Sequence, residues 1–166
     1  MVNAWAAWIT MTLEVSLVAA TLVYKLYLDY FNHVKEQKFR GFHVFFDYNG
    51  FDSVDPQVMS DWLMNTSILA LKRYNVRCVH NHAEVFPIGN TTSPAGFTLV
   101  CLLDESHLSA HCYSDLGMLA VDVFTCGGKP DVTNALSEDI HKDIMAYLSG
   151  NITFVKNNAN RFPFIE

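Results

Sequence analysis

LLDESHLSAHCYSDLGMLAVDVFTCGG, residues Leu102 to Gly128, is the stretch on which the reading of this chain turns. It holds two His, two Cys and four acidic residues between segments that read as buried strands. The local order is Asp104-Glu105-Ser106-His107, then His111 five residues beyond Ser106, then Thr125-Cys126-Gly127 at the end of the next apolar run. A hydroxyl, an imidazole and a thiol on adjoining strand ends can form a compact reactive site. The pattern predicts one strand over His107–Tyr113, a turn at Ser114–Gly117 and another strand over Met118–Thr125.

Working upstream, Ala95–Leu103 is largely apolar, which predicts a central strand. Pro87–Pro94 is a loop by composition, and Asn75–Phe86 predicts a strand with His80 and His82 in its middle. Asp55-Pro56 opens a helix to about Tyr74, with Asp55 as cap and Pro56 in the first turn, and with Met59, Trp62, Leu63 and Leu69 inward. Gly41–Tyr48 alternates, Phe42, Val44, Phe46 and Tyr48 on one face and His43, Phe45 and Asp47 on the other, and Asn49-Gly50 signals a turn. Downstream, Pro130 starts a helix to about Leu148 whose stripe is Val132, Leu136, Ile140 and Ile144. Asn151–Val155 can pair as a last strand. The order β-α-β-β-β-α-β predicts an α+β fold, a two-layer sandwich of antiparallel sheet with two helices on one face.

Residues 1–39 read as a separate apolar helix before a domain spanning 40–166. Ala4 to Val23 contains one charge, Glu14, and about 20 apolar residues suffice to cross a bilayer core. Trp5 and Trp8 stand at one end and Tyr24, Tyr27 and Tyr30 at the other, as an aromatic belt would have them. Lys25, Lys35, Lys38 and Arg40 follow, so a membrane anchor through residues 4–23 would hold the domain on the cytoplasmic face. Glu14 and the hydroxyls of Thr10, Thr12, Ser16 and Thr21 support the alternative, an apolar helix docked on the domain or on a second subunit.

The chain has 166 residues, 51% hydrophobic and 17% charged, which suits one folded domain with an appendage. A net charge of −6 argues against nucleic acid as partner, since phosphate binding needs a basic patch. His107, His111, Cys112 and Cys126 are metal-ligand types, yet no C-x-x-C is present and H-x-x-x-H on a strand spans about 13 Å, so no metal is expected. Cys78, Cys101, Cys112 and Cys126 are expected to be reduced in a cytoplasmic protein.

A serine in the position of Ser106 can attack the carbonyl of its own preceding peptide bond and turn amide into ester. Elimination then needs a base to take the Ser α-proton, and hydrolysis of the dehydroalanine leaves an N-terminal pyruvoyl group. Its ketone forms a Schiff base with a substrate amine and serves as an electron sink.

Glu105-Ser106-His107, His111 and Phe124-Thr125-Cys126-Gly127 together resemble the S-adenosylmethionine decarboxylase family, in its small prokaryote-type, pyruvoyl-dependent branch. Weaker similarity runs from about Gly41 to Val155. The resemblance implies the same fold and cleavage between Glu105 and Ser106, with Ser106 becoming the pyruvoyl group. It implies His111 as base of self-processing, Cys126 as the acid that protonates the substrate α-carbon, and Thr98 as a hydroxyl that helps cleavage. Many relatives read His-Thr-Trp-Pro-Glu where this chain reads His111-Cys112-Tyr113-Ser114-Asp115. Tyr113 and Asp115 are thus the expected substrate contacts, with Asp47 and Phe86 as further acidic and aromatic ones. The implied activity is decarboxylation of S-adenosylmethionine, which makes the aminopropyl donor for spermidine biosynthesis, in a homo-oligomer of cleaved chains. The altered segment after His111 keeps a pyruvoyl-dependent arginine or ornithine decarboxylase in view, and the N-terminal stretch a non-catalytic membrane-tethered homologue.

Overall fold

The structure, a computed structural model, describes residues 16–32, 41–89, 94–127 and 130–161. The chain divides into two compact units, Met1–Phe39 and Arg40–Glu166, each described by itself.

In the first unit residues 16–32 form a helix, α1, whose residues are exposed throughout. It carries Tyr24, Lys25, Tyr27, Asp29 and Tyr30, and among the described residues no helix is long and apolar enough to cross a membrane. This corrects the expected long apolar N-terminal helix and, with it, the anchor and the tether to the cytoplasmic face. The hydropathy of Ala4–Val23 had suggested the span, but Trp5, Trp8 and Glu14 lie outside the described residues, as do Lys35, Lys38 and Arg40. The structure is of one chain and lends no support to the expected homo-oligomer.

In the second unit the order is β1 (Gly41–Phe51), α2 (Pro56–Arg73), β2 (Cys78–Phe86), β3 (Gly96–Leu103), β4 (His107–Tyr113), β5 (Met118–Thr125), α3 (Pro130–Tyr147) and β6 (Gly150–Arg161). Alternation decides where each strand residue points. Val44, Phe46 and Tyr48 of β1 and Leu108, Ala110 and Cys112 of β4 are buried against the helices. His43, Phe45 and Asp47, like His107, Ser109, His111 and Tyr113, fall on the opposite face. The strands pair antiparallel in the order β2-β3-β4-β5-β1-β6. The α+β class is observed, but the expected sandwich is not. The sheet stays open, with α2 and α3 layered on one face and edges at β2 and β6.

Local chemistry sets the helix ends. Val58 N–H donates to Asp55 Oδ1 at 3.0 Å and Pro56 takes the first turn, while Asn75 at φ 55° closes α2 and delays β2 to Cys78. Met59 and Leu63 of α2 are buried together with Ala70 and Leu71, whereas Leu69 is 62% exposed because it falls off their stripe. On α3 the buried stripe is Thr133, Leu136, Ser137, Ile140 and Ile144. Asn49-Gly50 is no turn: β1 runs on to Phe51 through a bulge, Gly50 taking φ 85° and donating its N–H to Gly117 O at 2.9 Å. β3 is interior rather than central, and β6 runs well beyond Val155.

α3 is keyed to β1 through His141. Its ring stacks on Phe46 at 5.1 Å between centroids, and its Nδ1 is 3.0 Å from Tyr48 Oη. Burial pushes His141 below the ordinary imidazole range and Tyr48 above the phenol range, so a neutral ring accepts from a neutral hydroxyl.

Gly96 sits between aromatic positions, opposite Phe86 on β2 and Tyr113 on β4. A methyl group there would collide with the backbone carbonyl of Cys112. Gly96→Ala is therefore expected to cost about 1–3 kcal/mol, the usual range for overpacking, read as a lower urea midpoint. An unchanged midpoint would show that β3 and β4 can separate there without loss.

Candidate active site

β3 and β4 form a hairpin with Asp104-Glu105 at its tip. Leu103 N–H donates to Ser106 O at 3.0 Å, and the first register pair beyond is Leu102 with His107. Ser106 thus sits where β4 begins. β5 ends beside it, and Cys126, just past Thr125, donates its backbone N–H to Ser106 Oγ at 2.8 Å. This bond fixes the position of the hydroxyl oxygen and leaves its own proton free to be removed.

The Cys126 thiol is half-buried. Burial raises its pKa first and the nearby Glu105 carboxylate adds to that, while its contact with Ser106 lowers it. The net direction is upward, which keeps the thiol protonated at neutral pH and suits it to give a proton rather than to attack. The other cysteines differ in setting. Cys101 and Cys112 are core thiols that contact Met64 Sδ at 3.6 Å and Met59 Sδ at 3.8 Å, and burial pushes Cys112 up to about 12. All four cysteines are free.

Thr98 and His111 face each other across β3 and β4, Oγ1 and Nδ1 sharing a hydrogen bond of 2.9 Å. His111 also borders a cavity of about 300 Å³ lined by Asp47, Tyr113, Met118 and Ala120. Phe86 ends β2 two strands from Tyr113, and Asp115 Oδ2 accepts from Ala95 N–H at 3.4 Å in the turn after β4, so neither lines that cavity.

The expected residues therefore fall into two groups on the sheet. Ser106 and Cys126, with Glu105, meet at one end of β4. Thr98, His111, Asp47 and Tyr113 gather toward the other. His111 lies four residues along β4 from His107, about 13 Å at the rise of a strand, so the fold does not bring it to Ser106 of the same chain.

A third group was not legible beforehand. His43 Nε2 stands 3.1 Å from Asp122 Oδ1. The ring of His107 lies 6.2 Å from that of His43 and 5.4 Å from that of Phe124. The alternation of GFHVFFDY gave the face of His43 but not its partner, which is 79 residues away. Among the described residues no three His, Cys, Asp or Glu side chains come together as a metal site.

Comparison with known proteins follows the same segments. Residues 43–146 match the family described as S-adenosylmethionine decarboxylase. The S-adenosylmethionine decarboxylase proenzyme of Sulfurihydrogenibium sp. (strain YO3AOP1) is 39% identical over 67 residues, 40% of this chain and 46% of that one. The proenzyme of the same name from Pelotomaculum thermopropionicum is 51% identical over 49 residues, 28% of this chain and 39% of that one. The chain thus spans less than half the length of these curated relatives. The crystal structure of the adenosylmethionine decarboxylase from Aquifex aeolicus VF5 superposes with a TM-score of 0.54 at 26% identity, covering 72% of this chain and 90% of that one. With a family match across more than half of its length, over β1 through most of α3, the chain belongs to the S-adenosylmethionine decarboxylase family.

Proposed function

We propose that this protein is a self-processing, pyruvoyl-dependent decarboxylase of S-adenosylmethionine that makes the aminopropyl donor for spermidine biosynthesis. The observation that carries the reading is the 2.8 Å bond from Cys126 N–H to Ser106 Oγ at the tip of the β3–β4 hairpin. It joins a fixed hydroxyl to a thiol held protonated, in a chain whose family is pyruvoyl-dependent.

Residue 106 suits conversion to a pyruvoyl group. A cut between Glu105 and Ser106 falls at the start of β4, which pairs with β3 on one side and β5 on the other. Of the resulting pieces, the first contributes β1, α2, β2 and β3, and the second β4, β5, α3 and β6. Because β1 lies between β5 and β6, the pieces are interleaved and the sheet holds them together after the cut. The group's ketone supplies an electron sink for an amino-acid substrate, chemistry that no ordinary side chain offers. The protein's own part is to hold Oγ against Glu105, to keep the Cys126 proton ready for the substrate α-carbon, and to receive the substrate. Glu105 becomes a new chain end. Thr98 and His111 are assigned to support of processing; the fold holds them as a pair on β3 and β4, away from the hairpin tip.

Tyr113 and Asp47 offer aromatic surface and negative charge in the cavity beside His111, the pair of features that a sulfonium joined to adenine requires. An arginine or ornithine substrate would want paired acids instead. Asp115, the second acid expected there, is engaged with Ala95 N–H. Phe86 and Asp115 belong to the proposed substrate side only through their neighbours.

Carbon dioxide release from carboxyl-labelled S-adenosylmethionine, arginine and ornithine, assayed side by side, tests the reading. Release from S-adenosylmethionine alone is expected, and release from an amino acid alone would reassign the substrate. Cys126→Ala should still cleave but turn over poorly or place the proton wrongly on the product. In the parent, kcat should fall with rising pH only above the ordinary thiol range of about 8.5, since a raised pKa keeps the donor protonated for longer. A Cys126→Ala enzyme equal to the parent would remove the proton-donor role. Tyr113→Ala should weaken S-adenosylmethionine by about 1–2 kcal/mol, the scale of a lost aromatic contact, with cleavage intact. An unchanged KM would exclude that cavity from the substrate site.

A further inference from the structure

A group of rings that begins at His107, the residue after Ser106, is assembled across three strands. His107 on β4 stands opposite Phe124 on β5, and Phe124 stands opposite His43 on β1. His43 packs edge-on to Phe124 at 5.9 Å and to His107 at 6.2 Å. Its Nε2 is 3.1 Å from Asp122 Oδ1, and the two side chains are only 17% and 34% exposed. The carboxylate accepts from Nε2–H, which fixes the orientation of His43. Arg161 on β6 lies over the outer side of Phe124 at 5.9 Å. None of these groups has a part in the chemistry set out above. Yet an amine substrate arrives at neutral pH as an ammonium, and something next to residue 106 must take its proton.

We propose that His107 is the base of the Ser106 site and that His43, clamped by Asp122, is the positioning residue that holds its ring. The proposal rests on the decarboxylase reading and deepens it. A neutral nitrogen of His107 takes one proton from the ammonium nitrogen of the substrate. The N–H bond breaks at the amine and forms at the ring, the positive charge moves with the proton, and nothing is oxidised or reduced. The amine is then free to react at residue 106, the neighbour of His107 in the chain.

The charges facing His107 come from the β5 side of its strand and from the hairpin tip. β5 presents Asp122, β1 presents His43 and β6 presents Arg161; Glu105 stands at the hairpin tip and Cys126 just past β5, and β3 offers only Leu102. Burial lowers the pKa of His107, His43 and Arg161 act in the same direction, and Asp122 opposes them. A ring kept neutral at 107 and a thiol kept protonated at 126 give the site a base and an acid at the same pH.

The test reads His107 directly. In the full chain carrying Ser106→Ala, imidazole NMR signals are followed against pH, with His107 assigned by its disappearance in His107→Gln. His107 should titrate below the ordinary imidazole value of about 6.5, and His43→Gln should raise it by removing a group that lowers it. In cleaved, active enzyme the acid limb of kcat/KM should move to higher pH in His43→Gln, because a base with a raised pKa stays protonated to higher pH. His107→Gln should cleave normally and lose about 10²–10⁴-fold in turnover, the range for a general base. Should His43→Gln fail to fold, Asp122→Asn keeps the volume and must still move the His107 titration. A titration unmoved by these changes overturns the positioning role, and His107→Gln turning over as fast as the parent overturns the base. A parent that cleaves but decarboxylates no amine overturns the reading underneath. The titration separates the two failures, since it needs no activity.

Discussion

The pairing of β1 between β5 and β6 is the constraint on which the rest of this domain depends. β1 is the first strand in sequence and the next to last in the sheet, and it is bonded on both sides to strands that come more than sixty positions later. Its inward residues, Val44, Phe46 and Tyr48, are buried to within 1% and carry α3 through the stacked ring of His141. Its outward residues deliver His43 to Asp122 and Asp47 to the cavity beside His111. One strand therefore fastens the core on one face and carries residues of the proposed site on the other. The same pairing joins the two pieces that a cut before Ser106 would make.

The proposed site lies at the ends and on the uncovered face of the sheet because the helix-covered face has no room for it. There the thiols of Cys101 and Cys112 are sealed among methionine sulfurs, with Cys112 raised to about 12, and they act as small apolar groups. Cys126 is past the end of β5 and only partly buried, so its thiol is protonated yet reachable. Position in the strand separates the two sealed cysteines from the one proposed to act.

Much of this was legible in one sequence. The alternation of GFHVFFDY and the apolar runs around Ser106 gave strand faces and, for β4 and β5, their bounds, because a period of two is a local property. Asp55-Pro56 and Pro130 gave the helix starts for the same reason. Strand order was not legible, since β1 chooses its partners over long distances and nothing local records that choice. The pairing of His43 with Asp122 follows from the order and was hidden with it. The separation of His111 from Ser106 was already contained in the spacing: five positions is close in sequence but far along an extended strand. The apolar stretch before residue 24 misled because composition alone suggested a span, whereas the helix described over 16–32 carries Lys25, Asp29 and three tyrosines.

The central claim is that Ser106, held by the Cys126 amide, cuts its own chain. The intact mass of the purified full-length protein, beside that of Ser106→Ala, tests it most directly. The account requires two masses for the parent, residues 1–105 and a fragment starting at 106 that is blocked to amino-terminal sequencing, and one mass for the variant. A parent that stays a single chain through prolonged incubation, or a Ser106→Ala protein that is cut at the same place, would contradict it.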